Sequence, residues 1–407
     1  MKICLIIYKI DPVLGSEDAS GYHLAKEIVK TYRDATLITR SNNIAALQAD
    51  PAFHNINLVG VDVPRALSFY KKQGRGIILY YYLWQIFAAA KVKKLQLQKP
   101  FDLIHQINFH ADWAPHFLHK FSGRIIWGPV LHHPMVPFSW FPYGFRKLYL
   151  KEMIAQTVKL CFWRLNPALR RAIRATRYII FGNDQVPKPY RRQKAKLVFQ
   201  AYAGSHWPIV KAEKHINQFH LLYVGRMITL KGPHLALDAY EQFLKHIPLK
   251  HVVKPHFTLI GRGHLDDIIT RKVERLRQIY GDVVTLHDWM DREHLPEFYQ
   301  KADFMLYPSL ESQGLVVGEA ISQNCPVITL SGTGPAFVAQ SPLLTVHPRS
   351  RNYTVLVIAL AQKIRGLYDM KENDPLNYQT YFDNALKRAE DLRWSAIAKN
   401  IMKTYTA

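Results

Sequence analysis

The sequence predicts an α/β chain built as two doubly wound, parallel-sheet domains facing each other across a cleft. Three observations carry that expectation. The chain has 407 residues, and about 200 residues per domain is the natural partition at that length. Apolar strand-like runs alternate with helical stretches twice, once from residue 2 and again from residue 220, the mark of parallel sheets covered by helices. Hydrophobic residues make up 48% of the chain, enough to fill two substantial cores.

In order along the chain, MKICLIIYKID opens with a charge and then an apolar run. That is the order of a secretory signal, but the run is far too short for one, and residues 2–8 read as a buried first strand. The loop DPVLGSEDASG (11–21) follows, then a helix at 22–32 with Leu24, Ile28 and Tyr32 at four-residue spacing. Gly15 either lets the backbone approach a phosphate closely or serves only the turn. ATLITR (35–40) and INLVGV (56–61) read as further strands. The uncharged stretch from Gly76 to Ala90 is short of the roughly 18–20 residues a spanning helix needs. Its Lys/Arg flanks and Tyr80, Tyr81, Tyr82 and Trp84 suit a helix in a membrane interface or, equally, a domain-core helix.

FDLIHQINFHADWAP (101–115) reads as a strand running into a loop with His105, His110 and Asp112, and RIIWGPVLHHP (124–134) as a strand ending in Gly128, Pro129, His132 and His133. Histidines just beyond strand C-termini lie where open α/β sheets bind ligands. A substrate contact, a metal ligand and a plain loop residue are the readings, and no third ligand has metal-site spacing. Segment 141–177 is basic and aromatic with helical spacing, and 177–183 is a strand. Residues 205–217 have the ungrouped polar look of a linker, separating a first domain (1–204) from a second (218–384). Strands of the second domain are expected at 220–226, 256–263, 283–289, 302–309 and 326–330. A last helix (385–407), with Leu386, Ala389, Leu392, Ile397 and Ile401 on one side, is expected to pack back on the first domain.

The chain carries 54 Lys+Arg against 31 Asp+Glu, a formal net charge of +23. The imbalance is local: residues 1–200 hold 30 basic and 11 acidic residues, and 141–196 alone hold 14 and 2. A field of that strength favours a polyanion, whether acidic lipid, nucleic acid or a phosphorylated acceptor. Cys4, Cys161 and Cys325 stand far apart with no CxxC, which points to a reducing, cytoplasmic setting without a disulfide framework or zinc site.

The stretch LYPSLESQGLVVGEAISQNCPVITL (306–330) gives the second half its chemistry. It reads as strand, polar turn, helix start and strand, with Glu311 in the turn and Glu319 on the helix, either side of Gly314. The free amides and positive dipole end at such a helix start suit an anion. A carboxylate beside an anion site suits a polyhydroxyl ligand, because its two oxygens match a vicinal diol.

YVGRMITLKG, TLIGRGHL, LHDWMDREHLPEFYQKADFMLYPS and the ESQGLVVGEA turn, in that order, resemble the retaining nucleotide-sugar glycosyltransferases of family 4, which have the GT-B fold of two Rossmann-like domains. LGSEDASGYHLAKEI, FDLIHQINF and RIIWGPV resemble the same family more loosely. The resemblance implies a first domain that binds the acceptor and a second that binds the donor. Arg226 and Lys231 match the family's basic pair on the donor diphosphate, where cations offset charge growing on the leaving phosphate. Glu311 matches the acid near the donor sugar, and Glu319 the acid that holds the ribose. Gly314 and Leu315 amides, Gly261 and the Gly15 loop would meet the phosphates, and Trp289 and Met290 would wall the nucleobase. His132 or His133 would stand for the family's catalytic histidine. Ser312 stands where the family usually has Gly, and Phe337 near the place of an acid.

No Asp-x-Asp occurs, so the implied enzyme needs no cofactor or metal. It would move a hexose-type sugar from a UDP- or GDP-sugar to a glycan or glycolipid of lipopolysaccharide type, as a peripheral protein on the anionic inner face of a membrane. The alternatives are another GT-B enzyme, such as a nucleotide-sugar epimerase or hydrolase, and a basic nucleic-acid-binding protein. The latter lacks any helix-turn-helix, zinc or RNA-binding signature, so nucleic acid is not an expected partner.

Overall fold

A computed structural model describes the chain except residues 13–15, 70–75, 109–110, 142–145, 194–195, 248–252 and 351. The apolar runs form strands in two wholly parallel sheets. The first contains β1 (Ile3–Ile7), β2 (Thr36–Thr39), β3 (Asn57–Gly60), β4 (Leu103–Asn108), β5 (Arg124–Val130), β6 (Tyr178–Phe181) and β7 (Leu197–Phe199), in the order β3-β2-β1-β4-β5-β6-β7. The second contains β8 (Gln218–Val224), β9 (Lys254–Ile260), β10 (Val284–His287), β11 (Phe304–Leu306), β12 (Val327–Leu330) and β13 (Thr345–Val346), in the order β10-β9-β8-β11-β12-β13. Every residue of β1, β2, β11 and β12 is buried, as continuous apolar strands covered on both faces require. Both sheets are doubly wound, as the alternation predicted.

Each winding reverses once. In the first sheet the chain steps outward from β1 to β3 and returns on the other side of β1 as β4. In the second it steps from β8 to β10 and returns as β11, with Phe304 opposite Leu221 and Met305 opposite Leu222. Ligands of open α/β sheets bind outside the strand C-termini at such a reversal. The loops after β8 and β11 are therefore the first place to look for function in the second sheet.

The two compact units are not continuous in sequence. One comprises 1–132, 156–202 and 394–407; the other comprises 133–155 and 203–393. The segment 205–217, expected as a linker, is ordered coil held to the second unit. Val210 N–H donates to the Ser322 carbonyl (2.9 Å), and Lys214 Nζ to the carbonyls of Gln300 (2.9 Å) and Ala302 (2.6 Å). The final helix divides at Leu392–Arg393 into Pro375–Asp391 and Trp394–Thr406. The latter buries Ile397, Ala398, Ile401 and Tyr405 within the first unit.

Three other expectations change. The first helix starts at Ser16 rather than 22, with Glu17 and Asp18 in its first turn, where acidic groups complement the helix dipole. His105 lies inside β4 rather than in a loop. It is buried, with Nε2 2.8 Å from the Gly128 carbonyl and Nδ1 2.5 Å from the Tyr405 hydroxyl. The aromatic helix is Ile77–Gln98, and Tyr80, Tyr81, Trp84, Ala88 and Val92 face a core, with Trp84 Nε1 donating to the Val61 carbonyl (2.7 Å). Those aromatics are core residues, not interfacial anchors.

That helix still exposes Ile78, Leu79, Ile86 and Leu97, and a second helix, Arg146–Leu165, exposes apolar residues as well. Leu150, Ile154, Val158 and Leu165 are exposed at helical spacing, Leu165 by 74%, so they form one stripe. Lys147, Lys151 and Arg164 are exposed on the same helix. Among the described residues no helix is long and apolar enough to cross a membrane.

Candidate functional site

The loops at the β8/β11 reversal bring together two residues singled out from sequence. Lys231 ends the short turn Thr229–Lys231 after β8, and Glu311 lies five residues past the end of β11. Lys231 Nζ stands 3.0 Å from Glu311 Oε1, and both side chains are largely withdrawn from solvent. The Tyr307 hydroxyl completes a triangle, accepting from Lys231 Nζ at 3.0 Å and donating to Glu311 Oε2 at 2.6 Å. Burial, then the Glu311 charge, push the Tyr307 phenol well above its usual range, so it stays a neutral donor. Leu310 N–H donates to the Leu230 carbonyl (3.0 Å), and Glu311 N–H to Ser309 Oγ (3.1 Å). These bonds hold the two loops in register. Tyr307 was missed from sequence, since nothing in a strand-end tyrosine announces a partner 76 residues away.

Glycine makes the neighbouring approach possible. Gly261, just past β9, has φ +141, and a Cβ there would lie 2.0 Å from the Gly225 carbonyl oxygen. Only glycine lets those two strand ends cross so closely. Arg226, next to Gly225, is exposed and makes no ion pair among the described residues, leaving its guanidinium available to an anion beside Lys231.

Gly314 precedes the helix Leu315–Ser322, and Leu315 is buried at the helix start. Gly314 has φ −163, ordinary extended backbone. The tight position is instead Gly334, which opens the helix Gly334–Ala339 and donates its N–H to the Glu311 carbonyl (2.9 Å).

Glu319, one turn into its helix, is 3% exposed and is ion-paired with Arg292. Arg292 was not singled out from sequence. It lies 5.8 Å from the Trp207 ring centroid, and its charge offsets that of the buried carboxylate. Trp289, 64% exposed, follows β10 with Met290 half-buried beside it. Arg262 Nε is 2.9 Å from Asp288 Oδ1 on the same rim.

The two histidines separate. His133 Nε2 lies 2.9 Å from Ser312 Oγ within the second unit. His132 belongs to the first unit, where its Nδ1 is 2.7 Å from Asp112 Oδ2. Asp112 is buried, which raises its pKa against the lowering effect of His132. The Tyr190 hydroxyl donates to the Asp112 carbonyl (2.6 Å), and Asn183 Nδ2 to the His132 carbonyl (3.0 Å). Gly15 and His110 lie outside the described residues. Among the described residues no three His, Cys, Asp or Glu side chains converge as metal ligands.

Both doubly wound sheets and the order of their elements are those of the GT-B fold. HepE of Anabaena, in complex with UDP, superposes with a TM-score of 0.60 at 17% identity, covering 100% of each chain. WaaG, a glycosyltransferase involved in lipopolysaccharide biosynthesis, superposes with a TM-score of 0.57 at 17% identity, again over 100% of each chain. Residues 218–369, within the second unit, match the family model of the group 1 glycosyl transferases. Glycogen synthase of Mycobacterium tuberculosis is 26% identical over 231 residues, 55% of this chain and 52% of that protein. The chain thus spans about half the length of that curated relative.

Proposed function

We propose that the protein is a retaining glycosyltransferase that needs no metal and moves a hexose-type sugar from a UDP- or GDP-sugar to a glycan or glycolipid acceptor. The observation that carries this reading is the Lys231–Tyr307–Glu311 triangle at the β8/β11 reversal, inside the segment that matches the group 1 family model. Lys231 and the exposed Arg226 would hold the diphosphate, taking the charge that develops on it as the glycosidic bond breaks. The helix start at Gly314 and Leu315 would add amide donors. Glu319 would take the ribose diol when Arg292 yields it, with Trp289 and Met290 against the base and Gly261 near the phosphates. The complex of HepE with UDP favours the uridine nucleotide.

In the front-face reaction the bond from the anomeric carbon to the phosphate oxygen breaks. The acceptor oxygen bonds to the same face of that carbon, and its proton passes to the departing phosphate. Glu311 and the neutral Tyr307 would sit at the sugar end, with His132 or His133 contacting hydroxyls. A lipid-linked or lipopolysaccharide-type acceptor at an anionic membrane surface fits the exposed basic and apolar helix Arg146–Leu165, whose composition is that of an interfacial helix.

Calorimetry with UDP and GDP, alongside release of nucleotide from their hexose conjugates, tests the donor assignment. Lys231→Ala and Glu319→Ala are expected to lose at least tenfold in nucleotide affinity with unchanged circular dichroism. Unchanged affinity in both variants would remove the assignment.

A further inference from the structure

The Glu319–Arg292 pair is uneven. Glu319 is carried by the helix Leu315–Ser322 and its side chain is 4% exposed, whereas Arg292 opens the surface turn Arg292–His294 after β10 and its side chain is 38% exposed. The carboxylate is therefore enclosed and fixed, while the cation reaches it from outside and can leave without unpacking a core. Neither side chain makes a second ion pair among the described residues.

The surroundings hold the acid still and leave the cation a place to stay. Ser322 Oγ donates to the Glu319 carbonyl (2.7 Å) and lies 2.9 Å from Ser205 Oγ. Trp207 N–H donates to Ser205 Oγ at 3.1 Å, and Gln323 Nε2 to the Pro208 carbonyl at 2.8 Å. These bonds tie the Trp207 segment to the Glu319 helix. The Trp207 ring centroid is 5.8 Å from the Arg292 guanidinium, close enough for the aromatic face to attract the cation. All of these residues lie in the second unit.

A vicinal diol takes both oxygens of one carboxylate, and Oε1 of Glu319 is the oxygen that Arg292 holds. Separating a buried pair is costly because it strands a charge. A ligand that must do so binds with an affinity reduced by the fraction of molecules whose carboxylate is free.

We propose that Arg292 is a built-in competitor for the ribose: it occupies Glu319 in the nucleotide-free protein, must be displaced by the diol, and so sets the affinity for the nucleotide. This rests on the reading that Glu319 takes the ribose. The competition lowers affinity for every nucleotide that brings a diol and leaves one without a diol untouched.

Isothermal calorimetry with UDP and 2′,3′-dideoxy-UDP on the wild type, Arg292→Ala, Arg292→Lys, Glu319→Ala and the Arg292→Ala/Glu319→Ala double variant tests it. Arg292→Ala is expected to bind UDP several-fold more tightly than the wild type, with no gain for the dideoxy nucleotide. Arg292→Lys, which keeps the charge, is expected to stay near the wild type. In the Glu319→Ala background the Arg292 substitution should change nothing, since a double-mutant cycle reports only the coupling of the two. Circular dichroism and melting of each variant verify that the fold is kept. UDP affinity unchanged or weakened in Arg292→Ala, or an equal gain for the dideoxy nucleotide, overturns the competition. Wild-type UDP affinity in Glu319→Ala would instead overturn the ribose assignment itself.

Discussion

A Cβ built on Gly334 would lie 2.1 Å from the Ser312 carbonyl carbon and 2.3 Å from the Gln313 nitrogen. The turn carrying Glu311 leaves no room to shift, because these are backbone atoms held by the Gly334 N–H to the Glu311 carbonyl. Gly334→Ala is expected to cost about 1–3 kcal/mol, the usual penalty for overpacking, and to weaken UDP binding by displacing Glu311. Differential scanning fluorimetry and calorimetry on the variant check both effects, and a variant with wild-type melting and affinity would show that the turn can give way. That Lys231 and Glu311 meet was legible in part: each follows a strand, and the loops after strand ends of an open α/β sheet are where ligands bind in such folds. Tyr307 and Arg292 were not legible, because their roles depend on which distant side chain the fold brings to them.

At the scale of elements, the long apolar strands and helices declared themselves by periodicity. The edge strands β7 and β13, of three and two residues, are too short to show one. The break at Leu392–Arg393 was hidden for a related reason: the apolar positions continue on either side of it. His105 shows what the C-terminal helix Trp394–Thr406 contributes. Its ring bridges the Gly128 carbonyl and the Tyr405 hydroxyl, and burial lowers its pKa from 6.5 to about 4. The folded state thus holds the ring neutral while the unfolded chain protonates it below about 6.5. The stability this confers is present above that pH and is lost as pH falls from 6.5 toward 4. The loss is on the order of 3 kcal/mol when complete. Buried His116, lowered to about 3, and His234, lowered to about 4, act in the same direction. Apparent melting temperature is therefore expected to fall steadily below pH 6.5, and His105→Gln to flatten part of that slope. A melting temperature level from pH 7 to pH 5 would contradict the neutral, buried assignment.

For the whole molecule, the excess of 19 positive charges in the first 200 residues was evident in composition, but the surface that uses it was not. The aromatic helix Ile77–Gln98 drew attention by its hydropathy, and it turns Tyr80, Tyr81 and Trp84 into a core while leaving Ile78, Leu79, Ile86 and Leu97 exposed. The helix Arg146–Leu165, with mixed composition, leaves Leu150, Ile154 and Val158 in solvent beside exposed lysines. Hydropathy does not tell which side chains of a helix reach solvent, since burial is decided by what packs on it. Contiguous exposed apolar residues mark interaction sites, and lysines on the same helix select an anionic surface. Vesicles of phosphatidylglycerol are therefore expected to float the protein at about 0.1 M salt and phosphatidylcholine vesicles much less. Raising salt to about 1 M shortens the screening length from about 10 Å to about 3 Å and should release most of it. Lys147→Glu with Lys151→Glu should weaken flotation chiefly at low salt, where charge attraction acts. Ile154→Asp should weaken it at both salt concentrations, because it removes the apolar contact. Equal flotation with neutral vesicles, or full binding by the Ile154 variant, would assign the stripe to another partner.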